Sequence, residues 1–168
     1  MRNFYAAVTC IALVLPTQLL AQTPETNFYY KVSTEFRGTS MPMDVFNGGP
    51  QDNQVRLNSD QDVSGQFWNF VPANVSGFYK LKTQFRGSGM CLDINPPTNR
   101  PELRGCGEFT GQLWQLKQDG PWIKLSTQFR GPDVCLDIDP GSNQPELRGC
   151  GAFTGQHWQL ARTNKGVQ

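Results

Sequence analysis

The sequence predicts an all-β protein with a closed architecture and pseudo-threefold symmetry. Three observations carry that expectation. A segment of about 45 residues is written three times, apolar positions inside each copy alternate with period two, and Gly and Pro punctuate the runs so densely that no useful helical stretch survives. Three units of roughly four short strands make about twelve strands, which favours closure over an open sheet. A three-bladed propeller is the competing arrangement, with fewer blades than propellers normally use.

Ahead of the copies, residues 1–21 read as a cleavable secretory signal. Arg2 supplies the positive start, Phe4 to Leu15 is almost wholly apolar, Pro16 breaks the run and Ala21 offers a small residue before Gln22. The run is short for a bilayer span, and a retained anchor is the alternative. Cys10 sits early in this run, where lipid attachment is not expected. Cleavage leaves 147 of 168 residues, about one domain, and takes the formal net charge from +1 to zero because Arg2 is the only charge removed. A neutral chain with no Lys/Arg block has no electrostatic reason to bind nucleic acid. Secretion or residence in a periplasm is the expected localisation.

After a short lead at 22–27, the copies occupy 28–72, 77–117 and 121–161. Each opens on an alternating strand. Tyr30, Val32, Thr34 and Phe36 begin the first copy, Tyr79, Leu81, Thr83 and Phe85 the second, and Ile123, Leu125, Thr127 and Phe129 the third. Such alternation marks a strand with one buried face. A second strand ("MCLDI" in the second copy), a third ("ELRGC") and a fourth ("QLWQL") follow. The fourth strands carry Gln66-Phe67-Trp68, Gln112-Leu113-Trp114 and Gln156-His157-Trp158, at intervals of 46 and 44. The first copy is three residues longer between its Asp and its Gln. Residues 162–168 read as a frayed C-terminal tail.

Four cysteines remain after signal removal, and an even number in an exported chain reads as two disulfides with three possible pairings. Zinc is the alternative, but no Cys-x-x-Cys or histidine partner accompanies them. The second and third copies each hold two cysteines fifteen apart, and the first copy lacks both, which favours Cys91–Cys106 and Cys135–Cys150 over cross-copy bridges. Closing a loop of this size stabilises by roughly 3 kcal/mol in the chain-entropy model. If each pair lies directly across neighbouring antiparallel strands, Asp93 faces Arg104 and Asn95 faces Glu102. Asp137 then faces Arg148 and Asp139 faces Glu146, while in the first copy Asp44 faces Arg56 and Phe46 faces Gln54. Every copy then presents an outward Asp–Arg pair. A cross-strand salt bridge is one explanation; a polar pocket for a hydroxyl-rich or anionic ligand is the other.

This pattern of three copies, each with a Cys-Leu-Asp-Ile-like strand and a Gln-x-Trp, resembles the ricin B-type lectin β-trefoil over residues 28–161. The resemblance implies a carbohydrate-binding module with up to three shallow sites and no cofactor. It implies that Gln66, Gln112, Gln156, Trp68, Trp114 and Trp158 hold the core, and that Asp44, Asp93 and Asp137 accept hydrogen bonds from sugar hydroxyls. Asn95, Asp139, Gln54, Glu102, Glu146, Arg56, Arg104 and Arg148 complete the candidate sites. Three departures accompany it. The stacking aromatic two residues before the second cysteine is replaced by Arg104 and Arg148, with Arg56 in the first copy. The Gln two residues earlier is Glu102 and Glu146, surviving only as Gln54. An Asn before each Gln-x-Trp is replaced by Gly65, Gly111 and Gly155. Phe46, Phe109 and Phe153 are the substitute rings on offer, with burial of the last two under their Gly-rich turns equally expected.

Glycans are the expected partners, and an interaction trefoil with decayed sugar sites, such as a toxin accessory subunit, an inhibitor or an envelope partner, is the second reading. Catalysis is disfavoured because the carboxylates recur by symmetry and His157 is the only histidine. "DIDPG" at 137–141 has too few ligands for a dedicated calcium loop, and Asn74-Val75-Ser76 fits a glycosylation sequon.

Overall fold

The computed structural model describes residues 23–167; the signal reading for 1–21 lies outside them. Twelve strands alternate along the chain, four per copy. The first copy holds β1 (Phe28–Thr34), β2 (Met43–Val45), β3 (Val55–Leu57) and β4 (Trp68–Pro72). The second holds β5 (Tyr79–Thr83), β6 (Met90–Asn95), β7 (Arg100–Gly105) and β8 (Trp114–Asp119). The third holds β9 (Trp122–Thr127), β10 (Gly131–Ile138), β11 (Pro145–Gly149) and β12 (Trp158–Gly166). The first and last strands of the copies pair in the cyclic order β1-β4-β5-β8-β9-β12 and back to β1, a six-stranded barrel without an edge. The hairpins β2–β3, β6–β7 and β10–β11 cover one end, which is the β-trefoil arrangement.

Period-two alternation sends one face of each strand inward. Val32, Phe70, Leu81, Leu92, Leu125, Leu136 and the three tryptophans are fully buried in one core. Each indole also meets a polar need: Trp68 Nε1–H donates to Met43 O (2.9 Å), and Trp114 and Trp158 donate to Leu92 O and Leu136 O (2.8 Å each). A buried tryptophan thereby ties the fourth strand of a copy to its second strand. The three hairpins meet in a closed triangle of backbone bonds: Leu57 N–H to Asn143 O, Leu103 N–H to Asn53 O, and Leu147 N–H to Asn99 O. Asn53, Asn99 and Asn143 all have positive φ, a conformation that asparagine tolerates and the hairpin turns impose.

Both cysteine pairs bridge within their own copies as expected, Cys91 to Cys106 and Cys135 to Cys150. The segment after 161 differs from its expectation. It is no frayed tail, because β12 runs on to Gly166 and pairs with β1 as far as Phe28. Backbone pairing across that seam closes the barrel, so these residues are held by the same ladder as the rest.

Trp114→Phe removes the indole N–H and strands the Leu92 carbonyl in a dry core. Unfolding in denaturant should show a loss of about 2–4 kcal/mol, from cavity formation and the lost partner together.

Candidate functional site

One aspartate in each copy stands just inside the surface and its carboxylate is fastened on both oxygens. Asp93 Oδ1 accepts from Ile94 N–H (2.8 Å) and Oδ2 from Gln112 Nε2 (3.1 Å). Asp137 repeats this with Ile138 and Gln156. Asp44 accepts from Val45 N–H on Oδ1, and on Oδ2 from Asn58 Nδ2 (2.9 Å) with Gln66 at 3.5 Å. The glutamine of Gln-x-Trp is itself fully committed. Gln112 Nε2 also donates to Gly105 O (2.9 Å), and its Oε1 accepts from Gly107 N–H (2.9 Å). The aspartates are thus buried at 5–7% exposure, not set on an outward face.

The glycines before Gln-x-Trp have a positive reason to be there. A Cβ on Gly111 or Gly155 would lie 2.2 or 2.3 Å from the aspartate Oδ1, and one on Gly65 would lie 2.6 Å away. The carboxylate occupies the space that any larger residue would fill. What reads in sequence as a lost asparagine is the room into which Asp44, Asp93 and Asp137 swing.

The expected facing pairs hold in the first copy and fail in the other two. Asp44 faces Arg56, and Phe46 is bonded to Gln54. Asp93 faces Glu102, not Arg104, and Asn95 faces Arg100; Asp137 likewise faces Glu146, and Asp139 is bonded to Gln144. The pairing is displaced by two residues because the turn, not the disulfide, sets register. Asn95 O receives the N–H groups of Thr98 and Asn99 and closes a short turn. Cys106 then runs past the strand end, its N–H donating to Gly89 O, and the bridge is diagonal. Asn95 still reaches Glu102, at 3.2 Å.

This displacement changes which residues correspond. Gln66 Nε2 donates to Ser59 O as Gln112 does to Gly105 O and Gln156 to Gly149 O. Counting back from these carbonyls, Arg56 stands where the other copies have Glu102 and Glu146, and Asn58 stands where they have Arg104 and Arg148. The three extra residues all fall in the β2–β3 loop. The Asp–Arg salt bridge considered from sequence is not formed. Arg104 pairs with Glu102 and Arg148 with Glu146 along their own strands.

Each aspartate floors a cavity of about 380–490 Å³, within the range of small-ligand sites. Phe109 stands beside Asp93 and Phe153 beside Asp137, 59% and 58% exposed instead of buried under their turns. A second ring comes from the following copy: Phe129 for the second pocket, Phe36 for the third and Phe85 for the first. Each of these rings is backed by its neighbouring guanidinium, with Arg37, Arg86 and Arg130 4.2–4.4 Å from the ring centroids. Arg130 also donates to Asn99 Oδ1 and Arg37 to Asn143 Oδ1, both at 2.9 Å, while Arg86 reaches Asp52. The "FRG" turns therefore clamp adjacent copies and set the far pocket walls. Their threefold repetition was the available signal in sequence.

The remaining candidates have other duties. The Gly141 N–H and the Ser142 hydroxyl bond the Asp139 carboxylate and lower its pKa from the ordinary value; Arg100 adds an ion pair. His157 stacks on Trp122 with Nδ1 2.6 Å from Glu35, a surface tether between the first and third copies. Of the two positions that differ between the near-identical segments 101–116 and 145–160, one lies in the pockets: Glu108, held by Lys80, against Ala152.

A model of the ricin-type β-trefoil lectin domain matches residues 77–168, more than half of the chain. No curated protein matches. Among solved structures, a mosquitocidal holotoxin is similar with TM-score 0.72 and 15% identity, over 84% of this chain and 18% of that one. A designed threefold-symmetric protein, ThreeFoil, gives 0.66 and 23%, over 79% and 97%. A Polyporus squamosus lectin, bound to the human-type influenza-binding epitope Neu5Aca2-6Galb1-4GlcNAc, gives 0.65 and 14%, over 82% and 50%. This chain thus spans about a fifth of the holotoxin and half of the Polyporus lectin. No helix among the described residues is long and apolar enough to cross a membrane.

Gly155→Ala should displace Asp137 from Gln156 and cost about 1–3 kcal/mol, as overpacking does, measured by equilibrium unfolding. For Asp139 the folded pKa is depressed, so its contribution is complete above the unfolded value of about 3.9 and is lost as pH falls through the folded value. Asp139→Asn should therefore be less stable than the parent at neutral pH, and thermal melts of the two should converge as pH drops below that range.

Proposed function

Because this chain belongs to the family of ricin-type β-trefoil lectin domains, we propose that it is an exported carbohydrate-binding module with up to three shallow sites, one per copy. The observation that carries the reading is the exposure of Phe109 and Phe153 over cavities floored by a carboxylate. A folding core gains nothing from two phenyl rings left in water. A sugar, with an apolar ring face and a periphery of hydroxyls, uses both the ring and the carboxylate. Asp93 and Asp137 each accept one protein hydrogen bond per oxygen, and a carboxylate oxygen has a second lone pair to offer a hydroxyl. Phe109 and Phe153 lie in the turns between the third and fourth strands of their copies, away from the family's usual ring position, and they supply the stacking face that Arg104 and Arg148 do not. The export signal at 1–21 and two disulfides support an extracellular or periplasmic setting.

The test is a glycan array probed with the mature protein, followed by titration of the best ligand. Phe109→Ala and Phe153→Ala should each weaken binding about fivefold at their own site, on the ~1 kcal/mol scale of an aromatic contact, with melting temperature nearly unchanged. Unaltered binding by the double variant would remove the proposed role of the rings.

A further inference from the structure

The three cavities are not chemically equivalent, and we propose that the first-copy pocket takes an acidic sugar, one bearing a carboxylate or sulfate group. This assignment rests on the carbohydrate-binding reading above and names the ligand class for one of its sites. In the second and third copies the strand position opposite the floor aspartate holds Glu102 or Glu146, each consumed by Arg104 or Arg148. In the first copy that position holds Arg56, opposite Asp44. The residue two further on, at the place of the other copies' arginines, is the neutral Asn58. Asp44 and Arg56 cancel, whereas Asp93, Glu102 and Arg104 leave one negative charge, as do Asp137, Glu146 and Arg148. The two exchanges, Arg56 for glutamate and Asn58 for arginine, together raise the local charge by one unit; each cavity has an arginine in its wall, but Arg104 and Arg148 are engaged by glutamates and Arg56 is not.

Arg56 is also unusual in what it does not touch. Among the described residues it makes no ion pair, and its Nε is buried without a hydrogen-bond partner. Its guanidinium is held instead over the Phe46 ring, 4.2 Å from the centroid, in the place where the second copy has the Asn95–Glu102 contact. Stacking fixes the plane of the fork while leaving its Nη–H groups for a ligand. A planar carboxylate or a sulfate is the group that such a fork receives bidentately. Asp44, on the facing strand, has its oxygens bonded by Val45, Asn58 and Gln66 and forms no ion pair with the guanidinium. Phe85 from the following copy supplies the apolar wall, and Asn47 and Ser64 lie at the rim for hydroxyls.

A glycan array carrying matched pairs decides it: uronic-acid glycans and sulfated glycans, each printed beside its neutral parent. The parent protein should bind acidic members at least tenfold above their neutral partners, and the carboxylate and sulfate arms report which group is preferred. Arg56→Gln should lose acidic members at least tenfold more than neutral ones, and Arg56→Glu, which installs the residue type of the other copies, should do the same. Glu102→Arg should raise binding to acidic members. Melting curves on all variants separate loss of fold from loss of site, and Arg56→Lys keeps the charge if Arg56→Gln fails to fold. Neutral binding without acidic preference, or acidic binding that survives Arg56→Gln, overturns this assignment and leaves the lectin reading standing. No binding to any glycan by the folded protein overturns both.

Discussion

A buried glutamine in each copy is the constraint on which the rest of the structure depends. Gln112 bonds Asp93, the Gly105 carbonyl and the Gly107 amide at once, joining β6, the end of β7 and the turn that enters β8. Gln66 and Gln156 occupy the same node. An amide with its donors and acceptor all satisfied in a dry site is costly to disturb, and it orients everything it touches. The aspartate is therefore aimed by the core, and the glycine before the glutamine is small because the aspartate needs the space. Core and pocket floor are a single device.

That device is repeated, but its products are shared between copies. Every pocket has its floor in one copy and a phenyl wall from the next, held by a guanidinium that reaches back to the hairpin loop of the copy supplying the floor. The triangle of backbone bonds among Leu57, Leu103 and Leu147 fixes the hairpins against one another. No copy can build a complete site alone, so cooperative closure of the barrel and formation of the pockets are the same event. Threefold symmetry repeats the scaffold while single exchanges, Arg56 for glutamate and Ala152 for Glu108, diversify the walls.

Much of this was legible in the residues. Period-two alternation located the strands, paired cysteines located the bridges, and the thrice-written Gln-x-Trp located the buried nodes, because each of these signals is local and repeated. Register was not legible. Taking Cys91 to lie opposite Cys106 misplaced the strand pairing by two residues, since a disulfide tolerates a diagonal span while a short turn does not tolerate slippage. The same error matched Arg56 to Arg104, when hydrogen bonds match it to Glu102. Phe109 and Phe153 were visible as aromatics, but nothing in a linear pattern says whether a ring after a Gly-Cys-Gly turn folds under or stands out.

By itself, then, the order of residues determined an all-β chain of three copies, its core tryptophans and glutamines, its two disulfides and the family it resembles. These follow from short-range periodicity, which the chain states three times over. Only the tertiary structure decided which side chains share a pocket, because that depends on strand register and on contacts between copies more than thirty residues apart. Arg56 shows the difference most clearly. In sequence it is one of three equivalent arginines; in the fold it stands on an acid's position, without an ionic partner, over a phenyl ring. Hydrogen bonding in the β2–β3 loop, where the three extra residues gather, put it there.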